Sequence, residues 1–218
     1  MTVDVWLIPT DQPASAAEEL WHLLDESERA RCAGADPVVR RRFTVVHGAV
    51  RQLVGARLGV RPADVVWWRG RHGKPLPERA GGLEVNYSAS DSLAALALSD
   101  GRPLGVDVER IHDRRVAGRV AARFFPAAEA RAVLESPERF TELWCRREAC
   151  AKAYGGRLVQ SFGLPVDGPS PLLLADAGAL GPGPVWLSDV PVPGPFRAAL
   201  AVLGESPCHV NCEVWQGN

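Results

Sequence analysis

Two pairs of charged residues stand at spacings that suit chemistry on a phosphate. Gly105-Val106-Asp107-Val108-Glu109-Arg110 alternates as a strand does, which puts Asp107 and Glu109 on one face and turns Val106 and Val108 to the core. Carboxylates set side by side raise each other's pKa unless a cation lies between them. Mg²⁺ is such a cation: it takes oxygen ligands, keeps several waters and often shares substrate phosphates. The second pair is Glu148 and Lys152, four apart and therefore neighbours on a helix surface. Glu148 adds a third carboxylate, enough for a site that handles a phosphate-bearing substrate. Singly, each pair has a plainer reading: an edge strand with a solvated acidic face, and an exposed amphipathic helix with one Glu–Lys pair. Together they favour a site.

The elements that must carry these residues are legible from periodicity. Phe140, Leu143, Trp144, Ala151 and Tyr154 recur at spacings of three, four and seven, the mark of one helical face. Gly155-Gly156 then stops the helix, because glycine takes the left-handed cap conformation without steric penalty. Upstream, residues 3–8 alternate as a first strand closed by Pro9, and 16–24 and 25–31 read as helical. Residues 36–59 hold a long helix marked by Val38, Phe43, Val46, Val50, Leu53 and Leu58. Its first turns carry Arg40-Arg41-Arg42, three arginines pointing in different directions. They are either merely solvated or, for one or two of them, phosphate ligands through the planar guanidinium fork.

Residues 65–69 form a short strand and 70–77 a rigid Gly/Pro loop. Residues 93–98 read as a buried strand, joined through the turn at 99–103 to the 105–110 strand as a hairpin. Residues 114–125 are helical or loop-like, and 127–134 a short helix. Residues 186–188, 196–202 and 210–215 read as the last strands of a second half. Periodicity alone gives an α+β chain in one or two domains.

With 218 residues, 46% of them apolar, the chain is long enough to bury a core as one large domain or two compact halves. A net charge of −1 leaves no basic field of the kind a non-specific nucleic-acid binder carries. The five cysteines form no C-x-x-C pair, and Cys208-His209-x-x-Cys212 lacks the second ligand pair of a zinc site. Reduced thiols fit a cytosolic chain. No basic-then-apolar leader opens the sequence, and no uncharged run of ~18 apolar residues interrupts it. The expectation is a soluble cytoplasmic protein with neither membrane nor nucleic acid as partner.

G-V-D-V-E-R at 105–110, followed by F-x-x-x-W-x-x-x-E-A-x-x-K-x-x-G-x-x-L at 140–158, resembles the signature pair of the 4′-phosphopantetheinyl transferases. The spacing, and Arg123-Phe124-Phe125 with Glu129, are similar to the long, surfactin-synthetase-activating (Sfp-type) branch. The resemblance implies an α+β fold of two pseudo-symmetric α/β subdomains in one chain, each a small, mostly antiparallel sheet packed on helices. Residues 1–102 would form the N-terminal subdomain, which meets the phosphate and adenine of coenzyme A. Residues 103–218 would form the C-terminal one, with the metal-binding and catalytic residues.

The same resemblance implies a monomeric, Mg²⁺-dependent enzyme acting on carrier proteins. It would move the 4′-phosphopantetheine arm of coenzyme A to a serine of acyl or peptidyl carrier protein domains, releasing 3′,5′-adenosine bisphosphate. The carriers would belong to polyketide, non-ribosomal peptide or fatty acid synthases. Asp107, Glu109 and Glu148 would hold the metal. Glu148, Lys152 and Asp107 would carry catalysis, with Lys152 either helping to deprotonate the serine or stabilising the transferring phosphate. Coenzyme A would meet Arg42 or Arg41, Lys74 and Pro75 of the Gly-Lys-Pro segment, Ser88, Ala89, Asp107 and Lys152. The region between the metal strand and the catalytic helix would dock the carrier.

Two positions depart from the family pattern. Residues 85–92 resemble its F-N-x-S-H-S, but Ala89 stands where a histidine binds phosphate. A charged hydrogen bond of that kind is worth ~1.5–3 kcal/mol, or about ten- to hundredfold in affinity. Arg147 stands where lysine usually precedes the glutamate; it keeps the charge but, staying protonated, is no proton acceptor. These departures motivate an alternative, an impaired relative that binds coenzyme A or a carrier without transfer. A Mg²⁺-dependent phosphohydrolase is another.

Overall fold

In the computed structural model, which describes residues 1–70, 73–78 and 80–217, the chain runs in the following order. It begins β1 (Thr2–Pro9), α1 (Ala14–Trp21), α2 (Glu26–Cys32), α3 (Pro37–Leu58), β2 (Trp67–Arg69), β3 (Pro75–Pro77), β4 (Leu83–Ser90) and β5 (Leu93–Asp100). It continues β6 (Leu104–Arg110), α4 (Arg114–Phe124), α5 (Ala127–Glu135), α6 (Pro137–Ala153), β7 (Leu172–Leu174), β8 (Val185–Asp189), β9 (Phe196–Leu203) and β10 (His209–Val214). The fold is α+β, with two small sheets each packed on helices, as the sequence led us to expect. One sheet has the order β10-β1-β5-β4, the other β6-β9-β8-β7, and β2-β3 form a small ribbon.

Strand alternation sorts the apolar residues into three cores. Ala94, Leu96 and Leu98 of β5 face the helix-side core with Val46, Val50 and Val54 of α3. Leu93, Ala95 and Ala97 face the other way, meeting Leu104, Val106 and Val108 of β6 and Leu200 and Val202 of β9. The two sheets therefore pack on each other, with helices outside. A third core joins α4, α5 and α6 to Val185, Leu187, Ala199 and Ala201. Among the described residues no helix is long and apolar enough to cross a membrane.

Helix starts follow the capping rules. Asp25 caps α2 in a box with Glu28: each side chain accepts from the other's backbone N–H, at 2.9 and 3.0 Å. The buried Glu28 carboxylate also accepts from Arg51 Nε at 2.7 Å and faces His47 Nδ1 at 3.0 Å, which pins α2 to α3. Burial pushes its carboxyl up, but these partners outweigh that and leave it below the usual glutamate range.

Three sequence expectations need correction. The 93–98 and 105–110 strands are no hairpin: β5 pairs with β1 and β4, whereas β6 pairs with β9 in the other sheet. Both strands are apolar on the face they share, so they meet face to face rather than edge to edge. The last strand, expected in the second half, returns to the first sheet and lies parallel to β1. Of the Gly/Pro loop, Arg71 and His72 lie outside the described residues, and Pro75–Pro77 is strand rather than loop, paired with β2.

Candidate active site

Gly105 is where the site begins. A Cβ there would overlap the Ala149 carbonyl oxygen and the Ala153 amide nitrogen, and would lie 2.7 Å from Lys152 Cβ. Only glycine lets α6 lie this close on β6, and that approach brings α6 side chains over the β6 face bearing Asp107. α6 is thus no exposed amphipathic helix. Phe140, Leu143, Cys145, Arg147, Ala149 and Cys150 are all buried, while Glu148 and Lys152 are half-exposed at the β6 side.

Lys152 Nζ donates to Asp107 Oδ1 at 2.7 Å, Ser88 Oγ at 2.9 Å and the Val106 carbonyl at 3.3 Å. Three acceptors occupy three N–H groups, as an ammonium requires. Ser88 Oγ in turn donates to Asp107 Oδ1 at 2.8 Å. Asp107 is 2% exposed, and its other oxygen, Oδ2, is buried with no hydrogen-bond partner. Leaving a carboxylate oxygen in that state is costly, and a bound cation removes the cost.

β4 runs beside β6 without strand pairing and reaches it through alternate side chains. Asn86 Oδ1 accepts from the Val106 amide at 2.8 Å, Ser88 reaches Asp107, and Ser90 Oγ donates to Glu109 Oε2 at 2.6 Å. The acidic strand is therefore an edge strand, as one plain reading had it, but its acids are covered rather than solvated. Burial raises the Glu109 carboxyl above its ordinary value; Ser90 opposes this and Asp107 adds to it. Burial likewise raises Glu148, Lys152 opposes it, and the charges of Asp107 and Glu109 push it further up. Beneath them Cys145, whose Sγ donates to the Arg197 carbonyl at 3.2 Å, is held as a thiol: burial and the Asp107 and Glu109 charges push it well up.

The expected coenzyme A residues divide among three places. Lys74 and Pro75 share a cleft of about 210 Å³ with Lys152, Asn86, Tyr87, Gly155 and Gly156. Lys74 Nζ lies 3.0 Å from the Leu104 carbonyl and 3.4 Å from Glu84 Oε2; burial lowers its pKa and Glu84 only partly restores it. Arg42 stands elsewhere, donating to Asp11 Oδ1 at 3.0 Å and Asp91 Oδ1 at 2.5 Å. Arg41 is turned away from it and lines a groove of about 660 Å³ with Trp21, Arg40 and Thr44. Ala89 is exposed, with Tyr87 on the α3 side of β4, opposite Ser88 and Ser90.

Residues 103–171, which run from β6 through α6, match the 4′-phosphopantetheinyl transferase superfamily. The chain is also 35% identical over 162 residues to the 4′-phosphopantetheinyl transferase HetI of Nostoc sp. (strain PCC 7120 / SAG 25.82 / UTEX 2576). That alignment takes in 70% of this chain and 68% of the Nostoc protein. The chain belongs to the 4′-phosphopantetheinyl transferase superfamily. Its activity is transfer of the phosphopantetheinyl group to carrier proteins.

In this transferase Arg147 does not face Asp107 or Lys152. It is fully buried on the far side of α6, where Nη2 donates to Glu129 Oε1 and Oε2 at 2.9 and 2.7 Å and to the Leu164 carbonyl at 3.2 Å. The guanidinium lies 4.4 Å from the Phe125 ring centre. Its charge ties α5 and the chain after α6 to α6. Breaking a buried pair leaves an uncompensated charge, so Glu129→Ala is expected to destabilise the fold by roughly 3–5 kcal/mol. Denaturant unfolding measures this, and an unchanged midpoint would refute the structural role.

The residues that sequence reasoning missed are Asn86 and Ser90 as partners of β6, and Tyr87, Gly155 and Gly156 as cleft walls. Asn86 and Ser90 carried a signal, since they share one strand face with Ser88, but nothing in the sequence said what that face met.

Proposed function

We propose that this transferase belongs to the surfactin-synthetase-activating branch and uses coenzyme A as donor, with Mg²⁺ held by Asp107, Glu109 and Glu148. The observation that carries the reading is the buried Asp107 Oδ2, which accepts from no N–H or O–H group, beside Glu109 and Glu148, whose carboxyls the Asp107 charge pushes up. Among the described residues no three His, Cys, Asp or Glu side chains stand ready as a closed ligand set. Lys152 occupies Asp107 Oδ1 instead, and the all-oxygen donor set suits a hard cation. When bound, Mg²⁺ supplies charge stabilisation on the pyrophosphate.

The chain's own residues do the rest by position and charge. The serine Oγ of the carrier attacks the β-phosphorus of coenzyme A, and the phosphoanhydride bond to 3′,5′-adenosine bisphosphate breaks. Lys152, with all three protons engaged, acts as a cation facing that phosphate rather than as a proton acceptor. Glu148 accepts no hydrogen bond among the described residues, and it takes the serine proton. Lys74, Pro75 and Ser88 line the donor's path, and the exposed Ala89 leaves one phosphate contact unmade.

Residues 1–102 serve the donor's nucleotide end and 103–218 the metal and the carrier, in a cytoplasmic monomer. Phe124, 39% exposed on α4 with the Arg123 guanidinium 5.1 Å from its ring centre, offers the carrier an anchor; Phe125 is core. The carriers are those of polyketide, non-ribosomal peptide or fatty acid synthases. Intact-protein mass spectrometry of apo carriers with coenzyme A and Mg²⁺ tests the reading. One phosphopantetheine mass gained, and lost without Mg²⁺, is the expected result; no gain on any carrier type defeats it.

Arg42 shares its guanidinium between Asp11 and Asp91, whose charges compete with the donor's 3′-phosphate for it. Asp91 holds φ +52°, which asparagine also tolerates, so Asp91→Asn removes charge without straining the turn. It is expected to tighten 3′,5′-adenosine bisphosphate binding up to about fivefold by calorimetry. Weaker binding would mean that Asp91 orients Arg42 instead.

A further inference from the structure

Ser90 lies on β4, in the first half of the chain, yet its hydroxyl is committed to the second. Oγ donates to Glu109 Oε2 at 2.6 Å and accepts from the Arg110 amide at 3.1 Å. A serine hydroxyl has one proton and rotates freely unless its lone pairs are engaged. Here the Arg110 amide occupies a lone pair and leaves the proton directed at Glu109, in the short geometry of a bond to a charged acceptor. One strand position earlier on the same face, Ser88 does the same to Asp107, donating to Oδ1 at 2.8 Å. The spacing of two on β4 matches the spacing of two on β6. On each carboxylate a β4 serine fills one oxygen, and the other is left bare: Asp107 Oδ2 has no partner, and Glu109 Oε1 receives no hydrogen bond from the described residues.

We propose that Ser90 is a positioning residue of the transferase, fixing Glu109 so that a single oxygen faces the divalent cation bound with Asp107 and Glu148. This rests on the metal reading above. A serine that merely joined the halves would affect melting; one that aims a ligand changes cation affinity in a folded protein. Outer-shell partners of metal ligands typically carry about 10–100-fold in affinity.

The test is Mn²⁺ binding to the full chain, followed by electron paramagnetic resonance of the free ion, with a thermal melt of each variant. Ser90→Ala is expected to weaken Mn²⁺ about tenfold or more with an unchanged melt, and Ser90→Thr, which keeps the hydroxyl, to restore it. Wild-type Mn²⁺ affinity in Ser90→Ala overturns the proposal. So does failure of a stably folded Ser90→Thr to recover binding. Glu109→Gln separates the two readings. If it binds Mn²⁺ as well as wild type does, the metal assignment itself has failed, and the role of Ser90 with it. If it loses Mn²⁺ while Ser90→Ala does not, only the role of Ser90 has failed.

Discussion

Asp107→Ala is expected to abolish carrier modification, a loss of at least ~10³-fold in rate. The carboxylate is the central acceptor of the site, taking Lys152 at 2.7 Å and Ser88 at 2.8 Å on one oxygen and presenting the other bare. A single preorganised electrostatic group is worth about 10²–10³ in rate; here its loss also frees Lys152 from its place and, on the proposed metal reading, removes a ligand. The fold should suffer less than the chemistry. Lys152 is 27% exposed on its side chain, so water takes up the ammonium that the variant leaves behind. Rate by carrier mass shift, set beside a thermal melt, separates the two effects. Turnover near that of the parent in a folded Asp107→Ala protein would remove Asp107 from the site.

Lys152→Ala comes second, with an expected loss of about 10²–10³-fold. Lys152→Arg decides what the lysine does. Arginine keeps the cation and stays protonated at any working pH, so it is expected to retain activity well above that of the alanine variant, though below wild type because the fork fits the three acceptors differently. If arginine is as inactive as alanine while both proteins fold, Lys152 works as a neutral amine that takes the serine proton, and Glu148 loses the role of acceptor. The alanine variant also strands a buried carboxylate near Glu109 and Glu148. Some loss of stability should therefore accompany the loss of rate, smaller than that from breaking the Arg147–Glu129 pair, both of whose side chains are buried.

The chemistry of the site was legible in the sequence because it obeys local periodicities. Asp107 and Glu109 share a face by the period of two in a strand, Glu148 and Lys152 by the near-four of a helix, and Gly155 closes that helix at φ +60°. Apolar spacing located α3 and α6. From these the α+β class follows, and so does the expectation of a phosphate-handling site.

What the sequence left open is everything that depends on which face meets which. A run of small apolar residues at 93–98 looks the same whether it turns into a hairpin or is buried on both faces. It is buried on both, because a second sheet lies beneath it. Adjacent arginines 41 and 42 are indistinguishable as text. One helical step, about 100°, sends the first to a groove by Trp21 and the second to Asp11 and Asp91. Arg147 read as a departure in the catalytic motif, yet it points into the core, where Glu129 takes its charge. Ser88 read as a coenzyme A contact and Ser90 had no assigned role, and only the packing of that strand beside β6 set them on Asp107 and Glu109. Backbone periods fix the side of an element on which a residue falls; what waits on that side is decided by contacts between residues far apart in the chain, and no local spacing encodes those.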